Sequence, residues 1–334
     1  MSERATVRDS DADPRQPDLP PEDRMPDRPS RLGGRGIWET LKRTVKEFQN
    51  DNLTDWAAAL TYYGVLSIFP GMIVLTSAFS LLGNGDTAER AVNEIVPPEY
   101  GDDVNKFLNQ LSGAQGAGLL AIVGILGALW SASGYVSAFM RASNSIYDVP
   151  EGRPVWKTVP VRLGITIAIG LMLIASAAIV VFTGPIAEKV GGFIGLGSVA
   201  VTAWDILKWP VLVLIVSTMF ALLYWASPNA RHGGFRWISP GGILAVLLWI
   251  VASTGFAFYV AGFSSYNKTY GTLGGVIAFL VWLWISNIAV LLGAEFDAEL
   301  ERGRAIQAGH PEDEEPYIKL RDTRKVEESQ DQSL

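Results

Sequence analysis

The chain contains no cysteine and only two histidines, His232 and His310. The first absence excludes disulfides, thiolate metal sites and cysteine nucleophiles, and the second leaves too few imidazoles for the clustered ligands of a metal-dependent hydrolase. Positive charge is also in short supply. The chain has 27 Lys and Arg against 34 Asp and Glu, a net charge of −7, so composition offers no continuous basic face for nucleic acid. Elsewhere charge is missing altogether. The stretch Leu273 to Ala294 contains none, and it exceeds the roughly 20 residues that a hydrocarbon core of about 30 Å requires.

Six such apolar runs can be drawn, at residues 57–82, 119–140, 162–183, 208–226, 241–263 and 273–295. They predict an all-α, polytopic membrane protein with six transmembrane helices. The mean hydropathy of +0.23 understates this, because two polar tails dilute it. Basic residues alternate in position. Arg31, Arg35, Lys42, Arg43, Lys46, Arg141, Arg153, Lys157, Arg162, Arg231, Arg236, Arg302 and Arg304 fall on one side, and only Arg90, Lys106, Lys189, Lys208 and Lys268 on the other. The positive-inside rule then puts both termini in the cytoplasm. No apolar stretch precedes the first run, which is expected to act as the insertion signal with nothing cleaved.

Residues 1–34 are rich in proline, Asp and Arg and poor in large apolar side chains, so they read as a disordered cytoplasmic arm. From residue 301 the chain is polar again, with the acidic run Glu312 to Glu315, and reads as a flexible cytoplasmic tail. The membrane domain is therefore residues 35–300. Ahead of its first span, Ile37, Trp38, Leu41, Val45 and Phe48 recur at helical spacing beside Lys42, Arg43 and Lys46. This amphipathic helix suits either the anionic inner leaflet or the cytoplasmic ends of the bundle. In the segment 83–118, Val104, Phe107, Leu108 and Leu111, and upstream Val92, Ile95 and Val96, predict two short helices over the outer face.

Three stretches carry a resemblance. Asn52 to Pro70 contains Ala-Leu-Thr-Tyr-Tyr followed by Ser-Ile-Phe-Pro; Tyr266 to Gly274 carries a Tyr-Gly turn; and Trp282-Leu-Trp-Ile-Ser286 leads to Leu292-Gly-Ala-Glu-Phe-Asp297. Together they resemble the YihY/BrkB family of bacterial inner-membrane proteins, some of which have been labelled ribonuclease BN, over about residues 37–300. The resemblance implies six transmembrane helices, cytoplasmic termini and a bacterial plasma-membrane location. It supplies no catalytic or ligand residues. Transport of lipids or other amphiphiles has been entertained for the family.

The candidate functional residues lie in the first and last spans. Pro70 removes a backbone donor inside the first run, with Gly71 beside it, and predicts a kink. Around it Thr61, Tyr62, Tyr63 and Ser67 are polar at depth and should face the bundle rather than lipid. Asn287 lies about 21 Å into the last span at about 1.5 Å per residue, where its amide either fixes helix packing or lines a polar path. Glu295 should have reached the cytoplasmic interface, where Arg141 is its candidate ion-pair partner. Small residues Gly127, Ser131, Gly134 and Ala138 form a packing seam.

These features predict a membrane protein that moves, or helps to move, a lipid-like or amphiphilic substrate, with membrane lipids as its partners. The alternative is a non-transporting scaffold or envelope-integrity factor. No catalytic residue, cofactor site or metal site is predicted, no phosphate-binding Gly-x-x-x-x-Gly-Lys-[Ser/Thr] motif occurs, and a nuclease reading has no ligand cluster or basic groove to support it.

Overall fold

A computed structural model describes residues 16–26, 32–82, 117–181, 198–232, 239–262 and 272–326, with side chains described except at 69–82, 117–124, 181, 198–201, 205, 239, 262 and 272. The two short helices predicted within 83–118 and the aromatic turn near Tyr270 lie outside the described residues. Among the described residues the chain is nearly all helical, with no strand and one isolated bridge between Ala230 and Leu320. The helices are α1 (Gly33–Asn50), α2 (Leu53–Leu82), α3 (Ala117–Ile146), α4 (Val155–Val181), α5 (Ser198–Ala226), α6 (Ser239–Gly262) and α7 (Thr272–Gln307). Each predicted apolar run falls on one of α2 to α7.

Four stretches, Val155–Val180, Thr202–Ala226, Pro240–Ala261 and Leu273–Gln307, are long and apolar enough to cross a membrane by length and composition. Helices α2 and α3 are 30 residues each. The α2 helix continues through Pro70, whose side chain is outside those described. Two further helix-interior prolines, Pro160 and Pro210, were not singled out from sequence. Pro160 falls in the second turn of α4, close to where a missing N–H costs least, whereas Pro210 leaves the carbonyl of Ile206 without its helical donor.

Helices α2 to α7 pack as a closed ring in the order α3, α2, α7, α6, α5, α4 and back to α3. Among the described residues the ring is unequally filled. Its buried apolar core gathers Leu53, Phe139, Tyr224, Leu291 and Ala294 at the end carrying α1, the end of α7 and the segment beyond it; this is the tail-side end. At the opposite end large apolar side chains are exposed on α3 through α7, including Ile125, Leu126, Leu171, Val180, Leu207 and Phe258. The last turns of α6 show the contrast sharply, because residues 257–261 are all exposed, and five successive helical positions point in every direction around the axis.

The tail-side end is built by polar residues that continue the helices. Helix α7 runs twelve residues beyond the predicted boundary at 295, because charged side chains stop an apolar run without stopping a helix. Helix α1 packs along it through buried Thr40 and Thr44, against Gly303, and Arg43 pairs with Glu299. Of the two settings foreseen for the amphipathic helix, the one against the bundle is thus occupied, while Trp38, Lys42, Val45 and Lys46 remain exposed. Helix α1 ends where Asn52 takes the left-handed conformation at φ 51°, and α3 ends before Asp148 at φ 50°. Asn and Asp are among the non-glycine residues that tolerate this region best.

The described parts of the two tails are docked rather than free. Gln16 donates to the Leu320 carbonyl at 3.2 Å and accepts the Leu320 N–H at 2.9 Å, and Arg304 donates to the Pro26 carbonyl at 2.9 Å.

Candidate functional site

Within the apolar helices, one buried polar knot joins three elements of the ring. Asn287 of α7 donates to Thr61 Oγ1 of α2 at 3.1 Å and accepts the Tyr135 hydroxyl of α3 at 2.9 Å. Thr61 in turn donates to the carbonyl of Ala57 at 2.8 Å. In hydrocarbon each unpaired group would be costly, and here the amide is bonded through both of its heteroatoms. Tyr63 packs over Gly134, where an added Cβ would meet its ring at 3.1 Å. That contact explains part of the small-residue seam on α3.

The remaining candidates do not join this knot. Tyr62 points outward at 61% exposure, edge-on to Tyr63. Ser67 donates to the carbonyl of Gly64 on its own helix at 2.7 Å. The structure also does not bring Arg141 and Glu295 together: Arg141 is exposed and donates to Ser137 Oγ at 3.1 Å, whereas Glu295 is 1% exposed and meets Asp51. Tyr135, next to Gly134 of the small-residue seam, joins the knot without being among the candidates drawn from sequence. Its spacing on the small-residue helix was the available signal.

A second cluster at the tail-side end has a partner for each of its carboxylates. Arg153, 5% exposed, grips Glu151 through Nε and Nη2, both at 2.7 Å. It also donates to the carbonyls of Ala226 at 3.3 Å and Ser227 at 2.6 Å, closing the C-terminus of α5 with a cation as the helix dipole favours. Asn229 connects three segments: its amide donates to Pro150 O at 3.0 Å and Asp322 O at 2.8 Å, and its oxygen accepts the Asp322 N–H at 3.1 Å. Although burial opposes it, hydrogen bonds from Arg324 and Lys157 hold the Asp322 carboxyl well below the usual range.

The third cluster contrasts with it. A water-sized cleft of about 20 Å³ is lined by Glu47, Asp51, Tyr147, Asp148, Glu295, Glu299 and Arg302, among others. Arg302 is shared among Glu299 at 3.3 Å, Glu47 at 3.5 Å and Glu315 at 3.8 Å, and its guanidinium lies 4.3 Å from the Tyr317 ring centre. No ion pair reaches Asp51, Asp148 or Glu295 among the described residues. Burial raises the Asp51 carboxyl to about 6, against the effect of its hydrogen bond with Glu295, and Glu47, Glu315 and Glu299 add to the rise. Asp148 is exposed as a residue, but partial desolvation of its carboxyl where it lines the cleft raises it to about 7, helped by Glu315 and Asp51. Among the described residues the buried Glu295 Oε2 has no N–H or hydroxyl donor, nor does the Tyr147 hydroxyl find a partner.

Two further buried carboxylates have structural tasks: Glu301 pairs with Arg304 at 3.2 Å, and Asp297 holds the start of α6. Its Oδ1 accepts the N–H of Gly241 at 2.7 Å in the first turn of α6, where helix N–H groups otherwise lack partners. Trp249 and Trp282 are likewise structural, donating to Ser286 and Ser253, each at 3.1 Å, across the α6–α7 interface. His232, which lies outside the spans, packs edge-on against Tyr147 at 5.0 Å, and burial lowers its imidazole to about 3.

A helical ring with several membrane-length apolar helices defines a multi-pass membrane protein. The chain belongs to the family described as virulence factor BrkB, whose pattern it matches over residues 44–317. Among its relatives is YfkH of Bacillus subtilis, described as a ribonuclease-like protein, which is 32% identical over 262 residues covering 78% of this chain and 93% of YfkH. A UPF0761 membrane protein of Alteromonas mediterranea is 31% identical over 266 residues, 77% of this chain and 85% of the relative. One of Rhodospirillum centenum is 30% identical over 272 residues, 79% of this chain but 58% of the longer relative. No solved structure matches the chain.

Proposed function

We propose that this chain is a six-span plasma-membrane protein of a bacterium, with both termini in the cytoplasm, that moves lipid-like or amphiphilic molecules between the leaflets or along the membrane. The observation that carries the reading is the unequal filling of the ring among the described residues. Its tail-side halves hold the core, whereas on α6 and α5 the opposite halves expose apolar side chains in most directions around the helix. A bundle sealed at one end and loosely packed at the other offers an apolar recess continuous with lipid, which suits an acyl chain better than a hydrated ion. The basic side of the sequence pattern coincides with the sealed end, so the recess faces away from the cytoplasm.

A second reading rests on the Asn287–Thr61–Tyr135 knot. Its groups satisfy one another, as the packing of a non-transporting scaffold or envelope-integrity factor requires. The two readings separate in one experiment. The purified chain is reconstituted into liposomes with a panel of fluorescent lipids, and movement between leaflets is followed by quenching from outside. Transport predicts movement that depends on the protein and changes in Asn287→Leu and Pro70→Ala. Folded protein that moves no cargo supports the scaffold.

The proposal assigns no enzymatic activity to the chain and no nucleic acid as a partner. Ribonuclease-like describes YfkH, and here neither basic surface nor imidazole supply favours it. Purified protein that cleaved RNA and lost that activity on a single carboxylate substitution would overturn this part of the proposal.

A further inference from the structure

The tail-side end places its two polar clusters side by side with opposite outcomes. Around Asn229 every carboxylate has a cation or amide; around the cleft, acids outnumber their partners. Arg43 is committed to Glu299, and Arg302 is divided among Glu47, Glu299 and Glu315. Asp51, at the junction of α1 and α2, and Glu295, on α7, line the same cleft and are left with their side chains against each other. Two ionised carboxylates have only acceptor oxygens, so this contact becomes attractive only when one of them carries a proton. Glu295 is 1% exposed, and among the described residues its Oε2 meets no N–H or hydroxyl donor, so no protein donor takes the place of that proton.

We propose that Asp51 and Glu295 form a proton-binding site, holding one shared proton that fastens the α1–α2 junction to α7 and keeps the tail-side end of the ring sealed. A metal ion does not fit the same place, because among the described residues no three His, Asp or Glu side chains converge on one point as a coordinated ion demands. The groups facing the pair explain what loss of the proton does. Glu47 approaches from α1, Tyr147 and Asp148 from the segment after α3, Glu299, Glu301 and Arg302 from α7, and Glu315 and Tyr317 from the tail, Glu301 being paired with Arg304. Removing the proton sets two adjacent negative charges among these further carboxylates, with both nearby arginines already engaged. The seal then weakens, as in pairs of carboxylates that cannot both ionise at close range.

This inference goes beyond the transport reading and needs no cargo, so its test and the liposome assay fail independently. The full chain in lipid is studied by infrared difference spectroscopy between about pH 5 and about pH 8, a window above the ordinary carboxylate range. In an Asp148→Asn background, which removes the neighbouring acid that titrates near 7, the expected result is a protonated-carboxyl C=O band that disappears across this window, is lost when either Glu295→Gln or Asp51→Asn is added, and persists when Glu312→Gln, a change on the exposed tail, is added. Thermal unfolding supplies the second measurement. The amide of Glu295→Gln can donate to Asp51 as the protonated acid does, so this variant should fold and show a smaller loss of melting temperature than wild type as pH rises through the same window. A band that does not titrate there, or that survives in both folded variants, overturns the proposal.

Discussion

Gly293 lies where α7 crosses the start of α6, and replacing it with alanine tests the packing argument directly. A Cβ at this position would be 2.5 Å from the carbonyl oxygen of Gly241, 2.7 Å from the Tyr224 hydroxyl and 2.8 Å from the Ala245 Cβ. None of these is the far end of a flexible chain. Two belong to the opposing helix, and the third is held by its own 2.6 Å hydrogen bond to the carbonyl of Val290. The helices must therefore separate or Tyr224 must give up its bond. Overpacking of this kind costs about 1–3 kcal/mol, and loss of the buried hydrogen bond adds about 1 kcal/mol. Gly275 on the same helix provides the control, because nothing lies within 4 Å of its added Cβ. There alanine should be neutral or stabilising by up to about 1 kcal/mol through helix propensity. Equilibrium unfolding in mixed detergent micelles measures both. If Gly293→Ala proves as benign as Gly275→Ala, the close crossing of α6 and α7 is refuted.

Three further outcomes follow from the same geometry. Asn287→Leu removes the hydrogen bonds to Thr61 and Tyr135 and should cost on the order of 1–3 kcal/mol in the same unfolding assay; an unchanged stability would mean that the knot does not bind the helices. Asn229→Ala strips three hydrogen bonds that tie Pro150 and Asp322 together, each buried group left unpaired costing about 1–3 kcal/mol, so tryptic cleavage after Arg324 and Lys325 should speed up while the helical content persists. Asp148 is raised by partial desolvation and by neighbouring carboxylates to about 7; a raised acid contributes fully below its unfolded value of 3.8 and loses that contribution as pH rises through about 7. Asp148→Asn should therefore stabilise the protein at alkaline pH, by about 1 kcal/mol after allowing for solvent screening at this exposed site, and change little in acid, with asparagine also suited to the left-handed backbone there.

The six apolar runs were legible because a bilayer imposes a length and a composition that a window along the sequence can detect. The ends of the helices were less so. Leu53, Ile146 and Gln307 extend α2, α3 and α7 beyond the apolar runs, since polar residues remain helical once another segment covers them. Asn287 was identifiable as an amide inside a charge-free stretch, and Tyr135 less readily, because its partner lies 152 positions away. Glu295 drew attention as an acid at the end of a span, but distance along the chain offered Arg141 as its neighbour where the fold supplies Asp51.

By itself, then, the sequence determined a multi-pass helical membrane protein, its family and the stretches that carry its polar residues, because hydropathy and motif spacing are local properties. Tertiary structure decided the rest. Which polar groups satisfy one another, which end of the ring holds the core, and why Asp51 and Glu295 are left to share a proton all depend on contacts between segments far apart in sequence, and no local pattern records how many partners a buried carboxylate will find.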